Sequence, residues 1–124
     1  MSAEIIVVLM TLRDQIKIYH WQTSSFPRHK STDDLVGKLD ENIDKFVEVF
    51  IGKYGRPKFG RSTSSIKIRN FHDKEGPAYI KQYIKWLSTS LPKSLNKSAD
   101  TDLLNIRDEI LSDLNQTLYL FTLN

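Results

Sequence analysis

Four stretches of this chain place apolar residues at every third or fourth position, and this spacing restricts the fold more than any other feature. The first stretch covers roughly residues 3–23, and its apolar stripe is Ile5, Leu9, Leu12, Ile16 and Tyr19. Steps of three and four residues line one side of an α-helix. No stretch alternates like a β-strand over a convincing length, so we predict an all-α fold with four helices.

Proline, glycine and hydroxyl residues indicate where the second helix begins and ends. Pro27 disfavours helical geometry at Phe26, so the first helix is expected to end before it. Ser31 and Thr32 are suitable capping residues, and we predict that the second helix begins at one of them. Two glycines and a proline predict its end in the sequence Gly52-Lys53-Tyr54-Gly55-Arg56-Pro57.

A long connection, residues 56–72, separates the second helix from the third. It contains a proline, a glycine and a Ser/Thr cluster but no helical periodicity. We expect the third helix to run from about Pro77, which suits a first helical turn, to about Leu91. The fourth helix is expected to begin near Asp100. Four amphipathic helices predict a four-helix bundle in a single domain, residues 1–124, with a long basic loop between helices 2 and 3.

The composition excludes several kinds of site. The 124 residues include no cysteine, so disulfides and thiolate metal sites are excluded. The apolar run from Ile5 to Leu12 is far shorter than the roughly 20 residues of a membrane span, and no basic region precedes it. We therefore expect a cytoplasmic protein with no membrane partner. The apolar excess on helices 1 and 4 predicts a dimer or a larger homo-oligomer.

Positive charge is concentrated in the middle of the chain. Residues 53–97 contain 11 basic and 2 acidic side chains, whereas the segments on either side are acidic on balance. Such a region attracts nucleic acid or an acidic protein. The candidate nucleic-acid-binding residues are Lys53, Arg56, Lys58, Arg61, Lys67 and Arg69. The alternative is a solvated surface that pairs with the chain's own acidic helices.

Two of the three histidines and three carboxylates lie together in and around the second helix. The candidate metal ligands are His20, His29, Asp33, Asp44 and Glu48. Imidazole and carboxylate donors suit Fe(II) and Mn(II), and residues four apart on a helix share a face. The alternative is an ordinary solvated acidic face beside a histidine at a helix end.

The stretch Ile18-Tyr19-His20-Trp21-Gln22-Thr23, followed by Phe26, His29, Asp33, Asp44 and Glu48, resembles the DNA-protecting miniferritins of the Dps family. The offsets from His29 to the three carboxylates match that family, although the connection between the two histidines is shorter here. Residues 110–121 resemble its fourth helix. The resemblance implies a ferritin-like four-helix bundle that binds and oxidises Fe(II) at a site shared between two subunits. His20, His29 and Asp33 would come from one subunit, Asp44 and Glu48 from the other, and Trp21 would pack beside the site.

The chain also resembles a group of small proteins from large DNA viruses. The shared residues are 19–23, 28–30, Asp33 and 53–57. This resemblance implies no activity, but it raises the expectation of a viral protein, present in the host cytoplasm or in a virion. Two alternatives to a ferroxidase therefore stay open. One is a non-enzymatic virion protein that retains the fold, and the other is a DNA-compacting protein that uses residues 53–97.

Overall fold

The first helix, α1 (Ser2–Gln22), contributes one side of the core. The computed structural model describes residues 2–124. The predicted stripe of α1 faces inward, and Leu9, Leu12, Ile16 and Tyr19 are completely buried. Gln15 lies beside them as a buried polar residue, and its amide bonds to the backbone of Arg69. The sequence therefore predicted both this helix and its buried face.

The second helix, α2 (Phe26–Tyr54), begins earlier than the sequence analysis predicted. Its N-cap is Ser25, whose hydroxyl accepts a hydrogen bond from the backbone N–H of Arg28. Pro27 lies in the first turn, where a missing backbone N–H costs nothing. The predicted start at Ser31 or Thr32 is wrong, because both hydroxyls instead donate to backbone carbonyls inside the helix. The predicted end is correct, and Gly55 terminates the helix with a φ of 87°.

The connection between α2 and the third helix contains one short 3₁₀ turn, Arg61–Thr63. No β-strand is present in residues 2–124. The later part of the connection is anchored to α1, because Gln15 accepts from the backbone N–H of Arg69 at 2.9 Å and donates to its carbonyl at 2.7 Å. Phe71 is buried against the core.

The third helix, α3 (Glu75–Lys85), begins two residues before the predicted start at Pro77. Its helical path continues through a π turn, Trp86–Ser90, and a 3₁₀ turn, Leu91–Ser94, so the predicted end at Leu91 falls within one continuous helical segment. The fourth helix, α4 (Thr101–Leu120), begins next to the predicted Asp100. The prediction of an all-α fold with four helices is confirmed.

The four helices share one hydrophobic core. Helix α2 packs against both α1 and α4, and α3 packs against α4 and α1. Buried side chains from all four helices, together with Phe71, belong to a single cluster. This arrangement brings the C-terminal end of α1 next to the first turns of α2, which is where the two histidines lie. Within residues 2–124, no helix is both long and apolar enough to span a membrane.

Candidate metal centre

His20 and His29 meet at the corner between α1 and α2. The rings stack with their centroids 4.0 Å apart and an angle of 16° between their planes. Nδ1 of His20 lies 2.8 Å from the carbonyl oxygen of His29, and Nδ1 of His29 lies 2.9 Å from the carbonyl oxygen of His20. The two residues therefore make a reciprocal pair of side-chain to backbone hydrogen bonds. The short connection Thr23–Ser25 does not prevent them from meeting.

These hydrogen bonds determine which ring nitrogen is free. A carbonyl oxygen can only accept, so each Nδ1 carries the proton and donates it. In the neutral imidazole, Nε2 then has the lone pair and is available as a ligand. Metal-binding histidines in proteins are commonly oriented in this way, with the other ring nitrogen donating to a carbonyl or a carboxylate.

Asp33 lies next to this histidine pair. One carboxylate oxygen of Asp33 is 4.0 Å from Nε2 of His20. The side chain of Asp33 is 60% exposed, whereas that of His20 is 7% exposed. His29 is also exposed. The corner thus presents the ring of His29 and the carboxylate of Asp33 at the surface, whereas the ring of His20 is buried. Imidazole and carboxylate donors fit a hard or borderline divalent cation.

Asp44 and Glu48 form a second, separate group further along α2. Both side chains are exposed and lie one turn apart. A hydrogen bond shared with Asp44, and the repulsion between the two charges, raise the pKa of Glu48. Asp44 is 11 residues beyond Asp33 on the same helix, which corresponds to about 16 Å along the axis. The five predicted ligands therefore divide into two groups that cannot meet within one chain.

Neither group is a complete metal site. Across residues 2–124, no three His, Asp or Glu side chains converge closely enough to hold a metal ion. Asp40, another acid on this face of α2, is engaged by Arg13 at 2.8 Å. Trp21 does not pack beside the histidines within the chain. Its ring is 64% exposed and lies under the ammonium group of Lys17.

A hydrogen-bond network that no sequence pattern predicted connects the corner to Asp73. The hydroxyl of Tyr19 donates to the backbone carbonyl of Asp73 at 2.9 Å, and the guanidinium of Arg28 donates to the same hydroxyl at 2.9 Å. Thr23 and Ser24 donate to the carboxylate of Asp73. These hydroxyl donors, and the nearby charge of Arg28, lower the pKa of Asp73. The partners are about 50 residues apart in sequence, so no local pattern identifies them.

The predicted nucleic-acid-binding residues divide into paired and unpaired side chains. Lys53 forms ion pairs with Asp100 at 3.4 Å and Asp102 at 3.0 Å. Arg69 forms an ion pair with Glu75 at 2.6 Å. The remaining four make no ion pair with residues 2–124, and they are Arg56, Lys58, Arg61 and Lys67. The expected pairing with the chain's own acids therefore applies to two of the six.

Comparisons with known proteins give a family and one viral relative. A family model described as a family of unknown function (DUF5856) matches residues 20–121. An uncharacterized 14.6 kDa protein from the mobD-ri intergenic region of Enterobacteria phage T4 is 36% identical over 53 residues. That segment is 43% of this chain and 41% of the phage protein. The likeness is consistent with the resemblance to small viral proteins. No solved structure matches the chain.

Proposed function

This chain belongs to DUF5856, a family of unknown function, and we propose that it binds Fe(II) and promotes its oxidation at a site shared by two copies. The observation that supports this proposal is the reciprocal His20–His29 pair. It orients both rings and occupies both Nδ1 atoms, so that in the neutral imidazoles Nε2 has the free lone pair. Asp33 adds a carboxylate beside the buried ring.

The second copy would supply the remaining ligands. In one chain, Asp44 and Glu48 are too far along α2 to reach the histidines, but they are exposed and available to a neighbour. A two-fold arrangement would bring each histidine pair to the partner's carboxylates and form two equivalent sites. This arrangement is also the one implied by the resemblance to the miniferritins, and with it we propose a ferritin-like form of the bundle.

The proposed ligands match the chemistry of the substrate. Neutral imidazole and carboxylate donors bind Fe(II), and the negative carboxylates favour the Fe(III) product, which carries one more positive charge. Each Fe(II) would lose one electron to dioxygen or peroxide. Glu48 shares a hydrogen bond with Asp44, and this contact and the repulsion between the two charges raise the pKa of Glu48. A bound cation between Asp44 and Glu48 would relieve this repulsion.

Iron titration of matched variants tests the site. We expect Asp33→Asn to lose most Fe(II) binding and oxidation, because it removes one exposed ligand without disturbing the corner. Asp34→Asn is the control, since Asp34 is the adjacent exposed acid on α2. A His29→Ala, Asp44→Ala double variant should bind no iron at the site. Equal iron binding by this double variant and the wild type would refute the proposal.

Mixing two inactive variants tests whether the site is shared. One chain would carry Asp33→Asn and the other Asp44→Asn with Glu48→Gln, and each alone should be inactive. In a mixed two-fold dimer, one of the two sites has all of its ligands intact. Refolding the variants together at equal concentrations should therefore restore about a quarter of the wild-type oxidation rate. No recovery, with mixed dimers detected by mass, would contradict a shared site.

The alternative is a non-enzymatic viral structural protein, and the similarity to a phage T4 protein favours it. In this alternative, the same histidines and carboxylates would make hydrogen bonds and ion pairs between subunits. The two proposals predict different iron contents for the purified protein. A protein purified with iron present, and active in oxidation, supports the first. An assembly that retains no iron and whose mass is unchanged in the Asp33→Asn variant supports the second.

A further inference from the structure

A cleft of about 500 Å³ lies beside the C-terminal end of α2, far from the histidine corner along that helix. Phe50 and Tyr54 of α2 line it, together with Arg56, which follows the helix. Lys93 and Asp100, from the segment that precedes α4, also line it. The cleft thus combines two aromatic rings with two cationic side chains.

The aromatic wall is oriented and accessible. The rings of Phe50 and Tyr54 have their centroids 4.9 Å apart, and Tyr54 is 54% exposed. The hydroxyl of Tyr54 donates a hydrogen bond to the carboxylate of Asp100, which fixes the position of the ring. A planar ligand that stacks on Tyr54 would therefore meet a surface that is already ordered.

The acid in the cleft is neutralised by its neighbours. Asp100 is 1% exposed, and its carboxylate accepts from the backbone N–H of Asn96 at 2.8 Å and pairs with Lys53 at 3.4 Å. By contrast, Arg56 and Lys93 make no ion pair with any residue from 2 to 124. The charge that the cleft presents to a ligand is therefore positive.

A row of exposed lysines lies on one face of α3, the helix that precedes the segment lining this cleft. Lys74, Lys81 and Lys85 are seven and four residues apart, so they lie on one face of the helix. All three are exposed, and none pairs with a carboxylate in residues 2–124. The row is about 16 Å long. The helical segment continues from α3 through residues 86–94 and brings Lys93 to the cleft.

We propose that this surface binds single-stranded nucleic acid. One base would stack on Tyr54, the flanking phosphates would contact Arg56 and Lys93, and the strand would continue along the lysines of α3. An aromatic platform beside a positive track is typical of proteins that bind single strands. A duplex would meet only the charges, because its bases are already stacked and paired. An acidic protein would likewise have no need of the exposed ring.

This inference does not depend on iron binding, and it proposes a nucleic-acid-binding set that differs from the predicted one. Lys53 and Arg69 are engaged by the chain's own acids, so they are poor phosphate ligands here. Arg56 stays in the set. The structure adds Lys74, Lys81, Lys85 and Lys93, which the sequence analysis counted only as part of a basic region.

Fluorescence anisotropy with a labelled oligo(dT) of about 20 nucleotides tests the proposal. We expect the wild type to prefer this strand to a duplex of equal length. Tyr54→Leu should weaken binding about fivefold to a hundredfold, whereas Tyr54→Phe, which keeps the ring, should stay close to wild type. Because Tyr54→Phe also lacks the hydroxyl, this pair of variants separates stacking from the hydrogen bond to Asp100.

The lysine row is tested by the dependence of binding on salt. Lys81→Glu with Lys85→Glu should weaken binding and reduce the slope of log K against log salt concentration. The control is Lys30→Glu with Lys45→Glu, which makes the same charge change at exposed positions on α2. Equal binding of strand and duplex, an unchanged affinity in Tyr54→Leu, or equal loss in the control would each overturn the proposal. Displacement of the oligonucleotide by polyglutamate at equal charge would instead indicate that an acidic protein binds this surface.

Discussion

At the scale of single residues, Gly76 lies against the ring of Tyr19 with no room for a side chain. A Cβ atom at position 76 would lie 2.5 Å from Cζ of the Tyr19 ring, which is shorter than any tolerable contact. That ring is completely buried, and its hydroxyl joins the network with Arg28 and Asp73. The absent side chain of Gly76 therefore gives Tyr19 the space in which to support the histidine corner.

Gly76→Ala is accordingly expected to destabilise the fold by about 1–3 kcal/mol, because a rigid ring must shift to accept the methyl group. Gly37→Ala is the matched control. Gly37 is exposed in the middle of α2, nothing lies within 4 Å of its added Cβ, and alanine should stabilise that helix by about 0.5–1 kcal/mol. Urea unfolding of both variants measures the difference. Equal stability in the two would show that Tyr19 adjusts without cost.

At the scale of the helices, the sequence predicted the elements better than their ends. The apolar spacing was sufficient for α1 and α4, whose buried stripes follow it closely. The predicted start of α2 was wrong because a proline such as Pro27 has two opposite effects on a helix. Proline disfavours helical geometry at the residue before it, and yet it is well suited to the first turn of a helix. Here the second effect prevails, because Ser25 caps the helix and α2 packs against α1 from its start.

The candidate site was likewise predictable only where it depends on spacing along one helix. The offset from His29 to Asp33 places the two residues one turn apart on α2, because spacing along a helix is fixed by its geometry. The approach of His20 to His29 depends on the connection of three residues between α1 and α2. The hydrogen bonds from Thr23 and Ser24 to Asp73 join residues that are about 50 positions apart. Contacts across such separations follow from tertiary packing and are not encoded in any local pattern.

Asp100 joins the end of α2 to the start of α4, and its pKa makes this junction dependent on pH. Hydrogen bonds from the backbone of Asn96 and from Tyr54, and the charge of Lys53, lower the pKa of Asp100. A lowered pKa in the folded state means that the ionised form stabilises the fold above the unfolded value, which is about 3.9. That stabilisation is lost as the pH falls through the lower, folded value.

We therefore expect Asp100→Asn to be less stable than the wild type at pH 7. The difference between the two proteins should shrink as the pH falls below about 4, and vanish once Asp100 is protonated in the folded wild type. Urea unfolding at a series of pH values measures it. Asp34→Asn, at an exposed position on α2, controls for the change of one charge. A difference that persists at the lowest pH would assign the loss to altered packing.

At the scale of the whole molecule, two large aromatic side chains lie exposed around the histidine corner. Trp21 is 64% exposed and Phe26 is 71% exposed, and both flank the short connection between α1 and α2. Apolar groups of this size at the surface commonly mark a contact with another protein. The proposed shared iron site requires a second copy at this corner, so we expect these two rings to be covered in the assembly.

Replacement of both rings by serine should convert the assembly to monomers and abolish iron oxidation together. Trp21→Ser with Phe26→Ser should leave the folded monomer almost unchanged, because exposed side chains contribute little to stability. The control is Phe59→Ser with Tyr119→Ser, which removes two aromatic rings that are exposed elsewhere, 55% and 62% respectively. Sedimentation analysis gives the mass. An unchanged mass, or an equal drop in the control, would place the contact on another face.

The reciprocal hydrogen bonds of His20 and His29 hold the end of α1 against the first turn of α2. They join positions 20 and 29 twice in the folded state of a chain that has no cysteine. Two such bonds contribute roughly 1–3 kcal/mol together, which is comparable with the effect of a modest disulfide over so short a loop. A thiol reductant cannot open this closure, so the corner keeps its geometry in reducing and oxidising surroundings alike.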